Sequence, residues 1–289
     1  MNVNVIVIGG GPAGIITALT AKSVYPEKSV CLFKDIGDGV IPCAIPYMMH
    51  TLKDPNQNAM GNAPLEKAGI DVIVGKVVSF NPKAHSVTLE SGQALNYERL
   101  VLATGTEPVL PPIAGIEKDG VFTIRKSMSA MTELREKVHK VRNVAIIGGG
   151  FIGAEFADEL SHGSKVDVHV IEIMPKMVVA AFDDEFCDEV ATALGSKGIH
   201  IHCGNRVVSI DGNSQVESVT LENGRKIQAD MVLVSIGAKP ASDLAQKAGL
   251  RIVENGSIWV DEYMRTDAED VFAVGDCAVK RDFFTRKAA

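Results

Sequence analysis

Two glycine clusters carry the first chemistry this sequence can do. Gly9-Gly10-Gly11-Pro12-Ala13-Gly14 follows the apolar run Val5–Ile8, and Gly148-Gly149-Gly150-Phe151-Ile152-Gly153 follows Val144–Ile147. Each fits the pattern Gly-x-Gly-x-x-Gly between a strand-forming run and a helix-forming one. The first glycine makes a tight turn, the second lets backbone approach a pyrophosphate, and the third lets the helix pack on the strand. Free amides and the helix dipole then face the phosphates. One copy alone also describes a glycine turn in any α/β protein. Two copies in the same local setting predict two dinucleotide sites.

The copies differ where a ribose would sit. Glu172 ends the run Val168–Ile171, 19 residues after Gly153. A carboxylate there accepts ribose hydroxyls and repels a 2′-phosphate, which favours NADH over NADPH. The other reading is a solvated acid at a strand end. In the first copy the equivalent place holds Lys34, followed by Asp35. A lysine cannot accept a hydroxyl proton. Either Asp35 takes the role or that ribose is held differently.

The elements that must position these loops come in a repeated order. Leu100–Pro108, with Ala103-Thr104-Gly105 at its centre, is echoed by Met231–Pro240, with Ser235-Ile236-Gly237. Glycine-to-glycine offsets are 139 for the first pair of markers and 132 for the second. The pattern predicts strands near 3–8, 29–33, 70–78, 85–90 and 99–103, and an edge hairpin over 83–97. In the second half it predicts strands near 142–147, 166–171, 199–202, 205–221 and 231–235, with helices near 127–140, 150–161 and 184–196. Strands alternating with helices imply parallel sheets. The expected fold class is therefore α/β, with two Rossmann-like domains and the second inserted in the first. The first domain takes 1–110 and 241–289, the second 111–240, with the proline-rich stretch 107–112 as the crossing.

Composition narrows the function classes. The chain has 289 residues, 46% hydrophobic and 22% charged, which suits about two globular domains. A net charge of −7 gives no electrostatic footprint for nucleic acid. No apolar run is long enough to span a membrane, and the start has no basic leader. The five cysteines are scattered without a Cys-x-x-Cys, so neither a disulfide framework nor a zinc ribbon is expected, and a reducing cytoplasm fits.

With these motifs in view, the chain resembles the pyridine nucleotide–disulfide oxidoreductase superfamily over essentially its whole length. The resemblance implies FAD on the first glycine loop and NADH on the second. Val271–Asp276 is similar to the superfamily's second FAD motif, so Gly275 and Asp276 are implied at the ribityl chain. Ala103, Thr104 and Gly105 resemble the segment passing near FAD, Gly237 lies in the matching segment of the NADH domain, and Val77 is implied beside the adenine. Glu155, in the first turn after the second loop, is implied to face the nicotinamide–flavin region; a solvated first-turn acid is the alternative.

Val40–Tyr47, which contains Pro42 and Cys43, resembles the single-cysteine branch. That branch includes coenzyme A-disulfide reductases, NADH oxidases and peroxidases, and persulfide reductases, in which one cysteine lies against the flavin. Cys43 follows Pro42 and is expected to start a short helix running to His50. A helix start lowers a thiol pKa and favours the nucleophilic thiolate. The alternative is a buried small hydrophobe. Cys31 and Cys187, inside apolar patterns, read as structural, as do Cys203 and Cys277. No second cysteine follows Cys43 at four-residue spacing, which excludes the dithiol type. The paired basic residues of the coenzyme A branch are represented by Lys22 alone.

The superfamily continues beyond the flavin aspartate into an interface domain, so the chain reads as a shortened form of a protein that is homodimeric at full length. The implied activity is hydride transfer from NADH to FAD, then reduction of a small disulfide, persulfide, oxygen or peroxide through Cys43. Two alternatives stand beside it: reduction of rubredoxin or ferredoxin with Cys43 as a bystander, and a nucleotide-binding fragment without full activity.

Overall fold

The computed structural model describes residues 2–162, 166–279 and 284–285. In chain order the first elements are β1 (Asn2–Ile8), α1 (Pro12–Val24), β2 (Val30–Lys34), α2 (Ala63–Lys67) and β3 (Asp71–Val74). Next come β4 (Val77–Asn81), β5 (Ser86–Leu89), β6 (Ala94–Leu102) and β7 (Thr106–Pro108). There follow β8 (Val121–Thr123), α3 (Met128–Val138), β9 (Asn143–Ile147), α4 (Phe151–Ser161), β10 (Asp167–Ile171), α5 (Asp184–Ser196) and β11 (His200–His202). The last are β12 (Val207–Asp211), β13 (Ser218–Leu221), β14 (Lys226–Gln228), β15 (Met231–Val234), β16 (Ala238–Pro240), α6 (Asp243–Lys247) and β17 (Val271–Ala273).

By contact the chain forms two compact units, residues 1–39, 60–107 and 239–289, and residues 40–59 and 108–238. The first holds a sheet ordered β3-β2-β1-β6-β5-β4. β1 runs parallel to both β2 and β6, and β4, β5 and the start of β6 form the antiparallel edge. β17 adds in parallel to Leu100–Leu102, the half of β6 that β5 leaves unpaired. Apolar residues alternate across both faces of β1: Ile6 and Ile8 join one core, Val5 and Val7 the other. A parallel sheet buried on both faces produces such an unbroken apolar strand.

The second unit repeats the plan. Its parallel sheet is ordered β11-β10-β9-β15-β8. Val144 and Ile146 of β9 face a core shared with Met131, Phe156 and Cys187 from α3, α4 and α5. Ala145 and Ile147 face Ile210, Val219 and Ile227 of the antiparallel β12-β13-β14 sheet.

Several expectations are corrected. Residues 40–59, assigned from sequence to the first domain, pack with the second unit, because Val40, Ile45, Met48 and Met49 are buried in the core of α4 and β9. The unit boundaries fall at 107/108 and 238/239, slightly before 110/111 and 240/241. The expected strand 70–78 is two strands, β3 and β4, and 205–221 is the pair β12 and β13, turned at Gly212 with φ 127°. β6 starts at Ala94, earlier than 99. The end of the expected tail, residues 280–283 and 286–289, lies outside the described residues.

A further repeat signal lies in these edge strands. β5 and β13 are both Ser-Val-Thr-Leu, and the register shifts at Val77/Ser79 in one unit and at Val207/Ser209 in the other. The duplication thus extends to the antiparallel edges.

Candidate active site

In the first unit the glycine loop sits at the C-terminal end of β1, between β2 and β6. Gly9 has φ 123°, and a Cβ there would stand 2.1 Å from the carbonyl oxygen of Ala103. A Cβ on Gly14 would stand 1.9 Å from the Gly9 oxygen. These two glycines are required by packing. Gly11 differs: a Cβ built on it meets nothing within 4 Å. Gly11 caps α1 with no side-chain hydrogen bond, and Pro12 takes the first helical position. The amides of Ala13 and Gly14 therefore open on free space with no intrahelical acceptor. That entrance fits a pyrophosphate.

The second FAD-type motif reaches the same place. Gly275, at φ 76°, would put a Cβ 2.8 Å from the Ala13 Cβ, so the turn Gly275–Cys277 abuts the start of α1. Asp276 is exposed there. The Thr104 hydroxyl donates to the Ala241 carbonyl at 2.6 Å, and the Ala241 amide to Gly105 at 2.9 Å, which fixes the exit from β6. Lys34 is buried; its Nζ donates to Asn62 Oδ1 at 2.8 Å and Gly37 O at 3.2 Å. The cation is thus consumed by the neighbouring loop, while Asp35 is exposed. Val77 starts β4 opposite Leu89 and packs against the core that includes Phe33. Lys22 Nζ caps the end of α1 on the carbonyls of Pro26 and Lys28.

The second loop has the same construction. Gly148 has φ 110°, and its Cβ would meet Ser235 O at 2.6 Å; that of Gly153 would meet Gly148 O at 1.9 Å. A Cβ on Gly150 meets nothing within 4 Å. The side chains of Phe151 and Ile152 are exposed beside it, and Gly237 at φ 110° follows β15. Glu172 is held against the loop: Oε2 accepts from the Gly149 amide at 2.6 Å and Oε1 from the Met174 amide at 2.7 Å. Each oxygen keeps a lone pair for a further donor, as a ribose hydroxyl would be. Glu155 lies one turn into α4, and burial raises its carboxyl above the usual range.

Cys43 does not begin a helix reaching His50. It lies in one 3-10 turn, Pro42–Ala44, followed by a second, Pro46–Met48. Each proline takes the first position of its turn, and Pro46, with no amide to donate, stops the first turn from continuing. The cysteine is exposed, whereas Cys31, Cys187 and Cys277 are buried and Cys203 is half-buried. Burial, with Asp71 adding, pushes the Cys31 thiol up to about 12, and burial also raises Cys203. Cys43 is therefore the accessible thiol of the five.

Four residues escaped sequence reasoning. Glu159, buried near the end of α4, accepts the Thr51 amide at 2.9 Å and the Thr51 hydroxyl at 2.8 Å. Together with Arg135, which donates to the carbonyls of Leu52 and Lys53, it ties the Cys43 segment to α3 and α4. Asn58, also buried, donates to the Ile41 carbonyl two residues before Cys43. Val178, whose amide donates to Gly149 O, takes φ 51°, a rare conformation for a β-branched residue. No local pattern signals any of them. Replacing Glu159 with Ala is expected to destabilise the fold by about 1–3 kcal/mol, because the Thr51 amide and hydroxyl lose a buried, charged acceptor. Urea denaturation checks this, and Glu159→Gln, which keeps one acceptor, loses less.

The profile of the family described as pyridine nucleotide-disulphide oxidoreductase matches residues 3–288. The chain belongs to that family. It is 35% identical over 294 residues to a Pyrococcus horikoshii protein named NAD(P)H coenzyme A polysulfide/persulfide reductase, covering 99% of this chain and 65% of that one. It is 33% identical to a Methanocaldococcus jannaschii NADH oxidase, covering 97% and 64%. Among solved structures it is similar to a NAD-dependent persulfide reductase from A. fulgidus, with TM-score 0.93, 33% identity and coverage of 100% and 56%. The chain thus spans just under two thirds of the length of these two curated relatives. Among the described residues no helix is long and apolar enough to cross a membrane.

Proposed function

We propose that this chain is an FAD-dependent NADH oxidoreductase whose electrons pass to a small sulfur acceptor, a disulfide or persulfide, through Cys43. The observation that carries the reading is the pair of uncapped helix entrances at Gly11 and Gly150, each open where a pyrophosphate would rest. FAD would be held by Gly9, Gly11, Ala13, Gly14, Ala103, Thr104, Gly105, Gly275 and Asp276, and when bound it supplies the two-electron relay between nicotinamide and sulfur. NADH would be held by Gly148, Gly150, Phe151, Ile152 and Gly153, with Glu172 on its ribose.

The residues have distinct tasks. Glu172 offers two oxygens, already oriented by the Gly149 and Met174 amides, to the ribose hydroxyls, and its charge opposes a 2′-phosphate. The Cys43 thiolate attacks one sulfur of the acceptor. The acceptor's S–S bond breaks, its other sulfur leaves as a thiol with the electron pair and a proton, and a mixed disulfide on Cys43 remains. Two electrons originating from NADH, with a proton, then release the second thiol and restore Cys43. The persulfide and NADH oxidase names among the relatives support this acceptor class, with oxygen or peroxide as competitors. We further propose that the protein works away from membranes, in the cytoplasm, and as a homodimer at full length.

Anaerobic titration with NADH tests the core of the proposal. One equivalent is expected to bleach the flavin absorbance; a flavin that stays oxidised refutes it. Glu172→Ser is expected to lower kcat/KM for NADH about ten- to a hundredfold, the scale of one or two charged hydrogen bonds, and to narrow the preference over NADPH. Steady-state kinetics with both coenzymes reads this out. Turnover with rubredoxin that survives thiol alkylation would instead favour a carrier-protein acceptor.

A further inference from the structure

At the N-terminal end of β10 and on its neighbour β11, three imidazoles and a carboxylate share one face of the sheet. The register is responsible. β10 and β11 run parallel with His169 opposite His200 and Ile171 opposite His202. Asp167 lies two residues before His169, and His202 two after His200, so strand alternation turns all four side chains the same way.

The distances are those of a ligand set. Asp167 Oδ1 is 3.0 Å from His200 Nε2, and Asp167 Oδ2 is 3.6 Å from His169 Nε2. Donor atoms of Asp167, His169 and His200 all lie within 4.8 Å of one another. Ligands around tetrahedral zinc at its usual bond lengths stand about 3.4 Å apart; His200 and His169 lie on either side of that distance from different Asp167 oxygens. His169 Nδ1 meets His202 Nε2 at 3.1 Å.

The last contact sets which His169 nitrogen keeps a lone pair, according to the tautomer. A neutral imidazole carries one proton. With that proton on Nδ1, hydrogen-bonded to His202, the Nε2 lone pair of His169 faces a carboxylate oxygen. In that tautomer a cation can bridge the two acceptors, which stand 3.6 Å apart; in the other, His202 donates and the His169 Nε2–H faces the carboxylate. Metal-binding histidines commonly use their other ring nitrogen for such an orienting hydrogen bond.

We propose that Asp167, His169 and His200 bind one divalent transition-metal ion, with Zn²⁺ as the reference ion and His202 orienting the His169 ring. Two imidazoles and one carboxylate suit Zn²⁺, Ni²⁺ or Cu²⁺ and not the hard cations Mg²⁺ and Ca²⁺, and they leave a fourth position to water. Asp167 begins β10, whereas Glu172 follows its other end and donates its amide to the His202 carbonyl of β11 at 3.0 Å. Bound metal pins β11 to β10 and adds stability by linkage.

The experiment is isothermal titration of the metal-free chain with zinc chloride, in a Cys43→Ser background so that the exposed thiol takes no part. One ion per chain is expected to bind with micromolar affinity, and zinc is expected to raise the melting temperature until a chelator reverses it. His169→Ala and His200→Ala should each weaken binding at least about tenfold, and His202→Ala roughly ten- to a hundredfold. Circular dichroism in chelator establishes that the variants fold; Asp167→Asn, isosteric and also expected at least about tenfold weaker, replaces any that do not. Absence of zinc binding to the parent, or binding unchanged in these variants, overturns the proposal.

Discussion

Gly11→Val is expected to give a folded protein that holds FAD about a hundredfold more weakly and purifies with less flavin. The side chain fits the backbone, since Gly11 is extended at φ −79° and ψ 178°, and it fits the space, since nothing lies within 4 Å of the added Cβ. What it fills is the approach of a pyrophosphate to the Ala13 and Gly14 amides. Losing one or two charge-assisted hydrogen bonds costs about 3 kcal/mol, near a hundredfold in affinity. Flavin absorbance after purification, with circular dichroism as the control for folding, reads it out. Gly150→Val is the partner experiment, because Gly150 is also extended, at φ −74°, with nothing near its Cβ. That variant should remain yellow and lose NADH affinity on the same scale. A Gly11→Val protein that retains full flavin would show that no phosphate rests there. Gly14→Ala makes the contrast: its Cβ would stand 1.9 Å from the Gly9 oxygen, so it should damage the fold itself.

Cys43→Ser is expected to separate the two half-reactions. NADH should still bleach the flavin at the parent rate, because the thiol takes part only after the flavin is reduced. Reduction of a disulfide or persulfide should fall by on the order of 10³-fold or more, the scale of removing a nucleophile. Exposure is what makes this prediction sharp, since the other four cysteines are buried or half-buried and cannot substitute. Stopped-flow flavin reduction and steady-state thiol release measure the two halves. Unchanged thiol release would make Cys43 a bystander and move the sulfur chemistry elsewhere.

Much of this was legible in the residues. The roles of Gly9, Gly11 and Gly14, and of their counterparts 139 residues later, follow from covalent geometry: a turn needs φ above zero, and a helix packed on a strand has no room for a Cβ. Strand and helix order followed from periodicity, and Glu172 from its distance beyond the loop. The edge strands were less clear. The run 205–221 has the apolar pattern of one strand, although its Ser-Val-Thr-Leu duplicates that of β5 and follows the turn at Gly212. β17 was not foreseen as a strand, because Val271–Ala273 is short and pairs only where β6 parts from β5.

The sequence by itself determined the two glycine loops and their duplication, because each rests on local backbone rules; Cys43 stood out through a family resemblance, and the helix start expected there is absent. Tertiary structure alone decided which unit carries Cys43, where Lys34 spends its charge, and that Glu159 holds Thr51. It also decided that Asp167, His169 and His200 meet on one face. These depend on register and packing between segments distant in the chain, which no local period encodes.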